Sequence, residues 1–362
     1  MIKVSVTPKH YKYLKNKENG TTDPRMFFDL NGDDYKFVVH GTEPVDILIL
    51  TAKEFADGQF RVWKNYKIAL LLDLWHGVEG HIAQLVKQIK HPNEFVITCM
   101  ANVAEHPQII SNDFMFNRSK AYYSQFPFSP GVNKWYNHGQ LSYIAPELTD
   151  ADHKKKIFVA PCKTYPDRPR HSRIQLRDIL RDEYMNFGYL GNIDADSRLF
   201  MYPHIEFPWS NSIEEIEAQT RPLSYRWWGY CPPHNEYYRN TFVSIYSETI
   251  EFGKHICVSE KTYDPMIKGH FVLPFSNCNF ISWVQDLGFK FPDFINYDYD
   301  SISDDNKRLE AYLVEVRRML NMPLLQWKQH YTDNINMLRH NQLMFHRCAY
   351  HQIDIKKLLK TT

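Results

Sequence analysis

Val258-Ser259-Glu260-Lys261-Thr262-Tyr263-Asp264-Pro265, closed by Gly269 and followed by His270-Phe271-Val272-Leu273-Pro274-Phe275, reads as strand, turn, short helix, strand. An acid and a base sit together where the helix begins. The first N–H groups of a helix are unpaired and its dipole is positive there, so that end favours anions. Lys261 adds a full charge for a phosphate, and Glu260 can accept hydrogen bonds from sugar hydroxyls. Together they suit a nucleotide-sugar. An ordinary exposed Glu-Lys pair would look the same, so the surrounding chain has to decide.

Working outward, the preceding apolar runs at 241–246 and 255–258 read as strands, and 280–287 as a short helix closed by Gly288. A longer helix carries Leu309, Leu313, Val316 and Leu320 behind a cap at Asp304 or Asp305, and a last helical stretch runs over 323–347. Upstream, Ile157-Phe158-Val159-Ala160 reads as a strand, followed by a basic loop and an amphipathic helix with Leu176, Ile179, Leu180 and Tyr184 that stops near Gly188. The irregular stretch 133–156, ending in Lys154-Lys155-Lys156, is the expected crossing between two halves. In the first half, runs at 2–6, 37–39, 47–50, 68–72 and 95–99 have strand length, and 80–90 has helical spacing. Continuous rather than alternating apolar runs fit sheets covered on both faces. Strands alternating with helices imply α/β layers with parallel sheets. The expected division is 1–150, 151–335 and a helical tail, 336–362, that packs back on the first part.

In open parallel sheets, ligands bind beyond the carboxyl ends of the strands. Three segments fall there. After the strand at 68–72 comes Asp73-Leu74-Trp75-His76-Gly77-Val78-Glu79-Gly80-His81, in which Glu79 is placed to act as a general base and His76 is the second choice. Glu79 could equally be the acid that opens the next helix. The loop after 157–160 holds Arg168, Arg170, His171 and Arg173, whose guanidinium forks match a pyrophosphate. The third is the opening motif together with Ser247-Glu248-Thr249, where Glu248 and Glu260 end consecutive expected strands. Asp194-Ala195-Asp196 and Asp298-Tyr299-Asp300 spell the DxD pattern that holds a divalent metal in some transferases, but neither follows a clear strand.

Composition narrows the class further. A net charge of +1 argues against a dedicated nucleic-acid binder, which needs a basic face. The 6 cysteines include no CxxC pair and sit partly in apolar runs, which suits buried thiols in a reducing compartment. No apolar run approaches the roughly 20 residues needed to span a bilayer, and no leader pattern opens the sequence. The expectation is a cytoplasmic protein with no membrane span and no nucleic-acid partner.

On these residues the second half resembles the nucleotide-binding half of α1,3-fucosyltransferases and related viral, phage and bacterial glycosyltransferases. Val258-Ser259-Glu260-Lys261 and Val272-Leu273-Pro274 match that group's signature in order and spacing, and Leu287-Gly288-Phe289 looks like the segment that follows it. The resemblance implies a GT-B fold, in which two Rossmann-like α/β domains face each other across a cleft. It implies a nucleotide-diphosphate sugar donor, a glycan acceptor and no essential cofactor or metal. Carried over by position, Ser259, Glu260 and Lys261 belong to the donor site. Arg173 would hold the phosphates, with Arg168 and Arg170 as substitutes and Glu248 nearby, and Glu79 would be the base. Cys257 stands where the family has Tyr, which leaves the sugar open. The alternatives are a metal-dependent transferase using Asp194 and Asp196, and a binding protein without catalysis.

Overall fold

In the computed structural model the described residues are 1–6, 35–39, 43–50, 52–63, 65–73, 84, 86–98, 106–112, 116, 148–162, 170–191, 235–253, 255–348 and 353–360. They form two parallel sheets flanked by helices. The backbone divides into two compact units. One comprises Met1–Ile144, Phe252–Glu260 and Phe345–Thr362; the other comprises Ala145–Glu251 and Lys261–Met344.

The first sheet is built from β1 (Ile2–Val6), β2 (Tyr35–Val39), β3 (Val45–Leu50), β4 (Tyr66–Asp73), β5 (Glu94–Thr98) and β6 (Ile109–Ser111). Their order is β2-β1-β3-β4-β5-β6, and every pairing is parallel. Ile47 to Leu50 and Ile68 to Leu71 are buried without alternation, which is why those segments look continuously apolar in the sequence. A short helix, α1 (Ala52–Asp57), follows β3. Beneath the start of β5, the fully buried Glu94 carboxylate receives Arg61 Nε at 2.5 Å and Nη2 at 2.9 Å, while the Arg61 guanidinium lies 4.7 Å from the Phe60 ring centre. Of the helix expected over 80–90, residues 84 and 86–90 are described; 84 and 86–88 are helical, and 89 and 90 are not. Phe345, near the carboxyl end of the chain, stacks on Phe116 with ring centres 5.3 Å apart.

The second sheet has the order β10-β9-β7-β8, also all parallel, from β7 (Phe158–Pro161), β8 (Gly188–Gly191), β9 (Val243–Ser247) and β10 (Phe271–Phe275). From β7 the chain goes out to β8 on one side and returns to β9 on the other. The gap between β7 and β9 is therefore the topological switch point, the place where a parallel sheet opens to a ligand. Helix α2 (His171–Glu183) follows β7, α3 (Asn235–Asn240) leads into β9, and α4 (Glu260–Ile267) leads into β10. After β10 come α5 (Phe280–Asp286), α6 (Asp305–Leu320), α7 (Leu324–Asp333), α8 (Ile335–Arg347) and α9 (Ile355–Lys360). Trp327 and Tyr331 of α7 close one face of the sheet against Phe242 and Phe271, with ring centres 5.6 to 6.3 Å apart.

Two expectations are corrected, and one strand is found that the sequence did not reveal. Residues 255–258 form no strand, although Ile256, Cys257 and Val258 are buried. They look strand-like because they are apolar and covered, but β9 already takes β10 as its ladder partner on that side. The stretch 323–347 is two helices, broken at Asn334, whose side chain bonds the His330 carbonyl at 2.9 Å. Strand β8 gives little sequence signal because it is four residues long with a glycine at each end. Gly188 is required there: a Cβ would meet the Phe158 ring and carbonyl of the neighbouring strand.

Candidate functional site

The described site sits where β9 ends, beside the amino end of α2. Ser247, Glu248 and Thr249 turn out of the strand, and their carbonyls are gathered by arginines. Arg173, 6% exposed, donates from Nη2 to the Ser247 carbonyl at 3.2 Å and the Glu248 carbonyl at 2.8 Å. Arg170, immediately before α2, donates from Nη1 to the Glu248 carbonyl at 3.3 Å and to the Thr249 carbonyl. These contacts follow from position: both arginines occupy the loop-to-helix junction after β7, and β9 is β7's neighbour across the switch point.

The signature helix reaches the same turn from the other side. Lys261 Nζ donates to Thr249 Oγ1 at 3.0 Å. Thr249 therefore carries Arg170 on its carbonyl and Lys261 on its hydroxyl, and both cations are only partly buried. The next residue, Thr262, donates its hydroxyl to Glu248 Oε1 at 2.6 Å and accepts the Tyr246 hydroxyl at 2.7 Å. Glu248 Oε2 accepts from the Thr249 backbone N–H at 2.9 Å. Glu248 is completely buried, with both oxygens engaged. It ties β9 to α4.

Behind this turn lies Glu251, 5% exposed. Its Oε2 accepts from Ser247 Oγ at 2.5 Å, and Ser247 in turn lies 2.9 Å from the Ser172 hydroxyl of α2. Its Oε1 is 3.9 Å from Arg170 Nη1. Burial raises the Glu251 carboxyl above the usual range, against the pull of Arg173, the Ser247 hydroxyl, Arg170 and Lys261. Arg308 of α6, almost fully buried, braces the turn from below through the Ser276 carbonyl at 2.9 Å and the Glu251 carbonyl at 3.3 Å.

Of the residues expected from sequence, Arg170, Arg173, Glu248 and Lys261 come together here. Ser259 and Glu260 are buried at the start of α4. Glu79, His76 and Arg168 lie outside the described residues, as do Asp194 and Asp196. Asp300 instead caps a helix: its Oδ2 accepts from the Ile281 backbone N–H of α5 at 2.9 Å. Among the described residues, no group of three or more His, Cys, Asp or Glu side chains is arranged to hold a metal. Burial pushes the Cys162 thiol, one residue past β7, up to about 12, so it stays protonated and unreactive. Sequence reasoning quoted Thr249 and Thr262 within its segments without giving them a role, and missed Glu251 and Ser172. The available signal was a short polar run, Ser247-Glu248-Thr249 and then Glu251, directly after a fully buried strand.

No family model matches the sequence, and no curated protein matches it. Among solved structures, the chain is similar to one titled as the crystal structure of an α1,3-fucosyltransferase. The identity is 10% and the TM-score 0.42, over 99% of this chain and 87% of that one.

Proposed function

We propose that the chain is a glycosyltransferase that moves a sugar from a nucleotide-diphosphate donor to a hydroxyl of a glycan acceptor. The observation that carries this reading is the meeting of Arg170 and Lys261 on Thr249 at the switch point of the second sheet. Two partly exposed cations from separate elements, beyond the carboxyl end of a parallel strand, make a site for a dianionic leaving group. The signature residues around Lys261 supply the rest of the reading.

In this reading Lys261 and Arg170 hold the diphosphate and offset the charge that builds on it as the glycosidic bond breaks, where preorganised charge helps most. Arg173, with its Nη2 on two carbonyls, props the turn that positions them. Glu260, at the start of α4, is the residue assigned to the ribose or the sugar, with the buried Ser259 before it. Glu79 takes the proton from the acceptor hydroxyl, with His76 as the second choice. A base acting opposite the leaving group inverts the anomeric centre. GDP- and UDP-sugars, with fucose or xylose, are the donors to test first.

The test is Lys261→Ala and Glu79→Gln in donor-hydrolysis and transfer assays, with EDTA present. Loss of about 10²-fold or more in turnover for each is expected from removing a charge partner or a general base. Undiminished turnover in both variants would remove the site assignment.

A further inference from the structure

Glu251 has no part in the proposed chemistry, yet its Oε1 lies 3.9 Å from Arg170 Nη1 and its carboxyl feels the charges of Arg173 and Lys261. Each element around it presents a polar group. From the α2 side come Arg170, Arg173 and the Ser172–Ser247 hydroxyl pair; from α4 comes Lys261; from α6 come Arg308 and the buried Tyr312. Arg308 spends its own charge on Asp305 and on carbonyls. Glu251 thus sets a negative charge against Arg170, with Arg173 and Lys261 acting on the same carboxyl. A diphosphate arriving at Arg170 and Lys261 would put a second negative charge against the same cations, beside a carboxylate that is itself buried.

We propose that Glu251 is the internal counter-ion of this anion site, and that diphosphate binding is coupled to uptake of one proton from solvent onto its carboxylate. This rests on the phosphate-site reading above. With the site empty, the ionised carboxylate holds Arg170 and the Ser247 hydroxyl in place. With a diphosphate bound, the anion takes over the cations and the neutral acid keeps its hydrogen bond to Ser247. Only a proton moves, and it comes from the solvent. The direction follows from linkage: an approaching anion favours the protonated form, so affinity rises as pH falls. Burial has already brought the carboxyl towards the working range.

The experiment uses the full chain and inorganic pyrophosphate as the probe, with affinity measured by calorimetry from pH 5.5 to 8. Pyrophosphate titrates in that range itself, so the readout is the difference between wild type and Glu251→Gln. Affinity of the wild type should fall by about tenfold more than that of the variant over the range, one pKa unit of coupling being a factor of ten. Glu251→Asp, which keeps the charge, should retain the wild-type slope. Sulfate, which does not titrate there, gives an internal check on the wild type alone and keeps the idea testable if Glu251→Gln does not fold. Its affinity should also rise on acidification. Equal slopes in wild type and Glu251→Gln, or a flat sulfate profile, would overturn the coupling while leaving the phosphate site standing. Absence of pyrophosphate binding to wild type and Glu251→Gln alike would overturn both.

Discussion

Replacing Thr262 by Val is the most direct probe of how the signature helix is held. The two side chains have nearly the same shape, so packing is kept and only the hydroxyl is lost. That hydroxyl gives its proton to the buried Glu248 carboxylate at 2.6 Å and accepts the Tyr246 hydroxyl at 2.7 Å. Losing a hydrogen bond to a buried charged group costs about 1.5–3 kcal/mol, and leaving the Tyr246 hydroxyl unpaired costs about 1–3 more. Burial and the neighbouring Glu248 charge both keep that tyrosine protonated, so it has no ionised form to fall back on. A loss of about 3 kcal/mol or more is expected, which lowers the melting temperature by roughly 6–12 °C in a unit of this size. Tyr246→Phe removes the orphaned donor beforehand, so Thr262→Val on that background should cost at least about 1 kcal/mol less. The assay is urea and thermal unfolding of the four proteins. A Thr262→Val protein within about 0.5 kcal/mol of wild type, or strict additivity in the cycle, would refute the relay.

Three further outcomes follow from buried groups. Burial raises the Asp300 carboxyl to about 6, so its contribution to stability is complete below the unfolded value near 3.8 and is lost as pH rises through about 6. Asp300→Asn should therefore flatten the melting profile between pH 4 and 6.5 relative to wild type. Burial lowers Lys154 from 10.5 to about 7, so between those values the unfolded chain holds a proton that the folded one has released. The wild type should gain on Lys154→Met as pH is raised from 7 to 10 in matched melts. Gly269, at φ 71, ends the turn before β10, and a Cβ there would strike Leu148. Gly269→Ala should cost about 1–2 kcal/mol from the left-handed backbone alone, with the clash added, read from the urea midpoint.

Much of this arrangement is legible in the sequence because the strands are buried on both faces. Segments such as Ile47 to Leu50 and Ile68 to Leu71 have no polar side to confuse the pattern. Asp304 reads as a cap and is one: its Oδ1 accepts the Lys307 N–H at 2.9 Å. The errors come from the same signal used too freely. Ile256 to Val258 is as apolar as a strand but finds no ladder, and burial alone does not distinguish the two. In the site, charges were legible and their commitments were not. The sequence reading puts Arg173 on the phosphates and keeps Arg170 as a substitute. Only the three-dimensional placement shows Arg173 almost fully covered and Arg170 with about a third of its side chain exposed. Glu248 and Glu251 both look like turn acids, and both prove to be buried.

The two ends of the second sheet show what distinguishes a structural cation from one available to a ligand. At the amino ends of the strands, Lys154 lies 1% exposed and donates to the carbonyls of Tyr238, Arg239 and Thr241 at 3.1, 3.4 and 2.6 Å. His270 joins it, with Nε2 2.6 Å from the Tyr238 carbonyl. A carbonyl can only accept, so Nε2 carries the proton, and Nδ1 accepts from the Ser244 hydroxyl at 3.1 Å. Burial, with Lys154 adding to it, drives the His270 pKa well below its usual value and keeps the ring neutral. The Asn240 carbonyl takes the Lys155 and Lys156 N–H groups, so the last carbonyls of α3 are all satisfied. Lys154 serves a helix end and is covered by the Phe242 and Tyr331 rings. At the carboxyl ends, Arg173 does similar work for the turn after β9, but Arg170 and Lys261 stop at its surface. Lys154 is fully covered at one end, while Arg170 and Lys261 are only partly buried at the other. That asymmetry, more than the number of basic residues, is why the carboxyl end is the one to test with a phosphate.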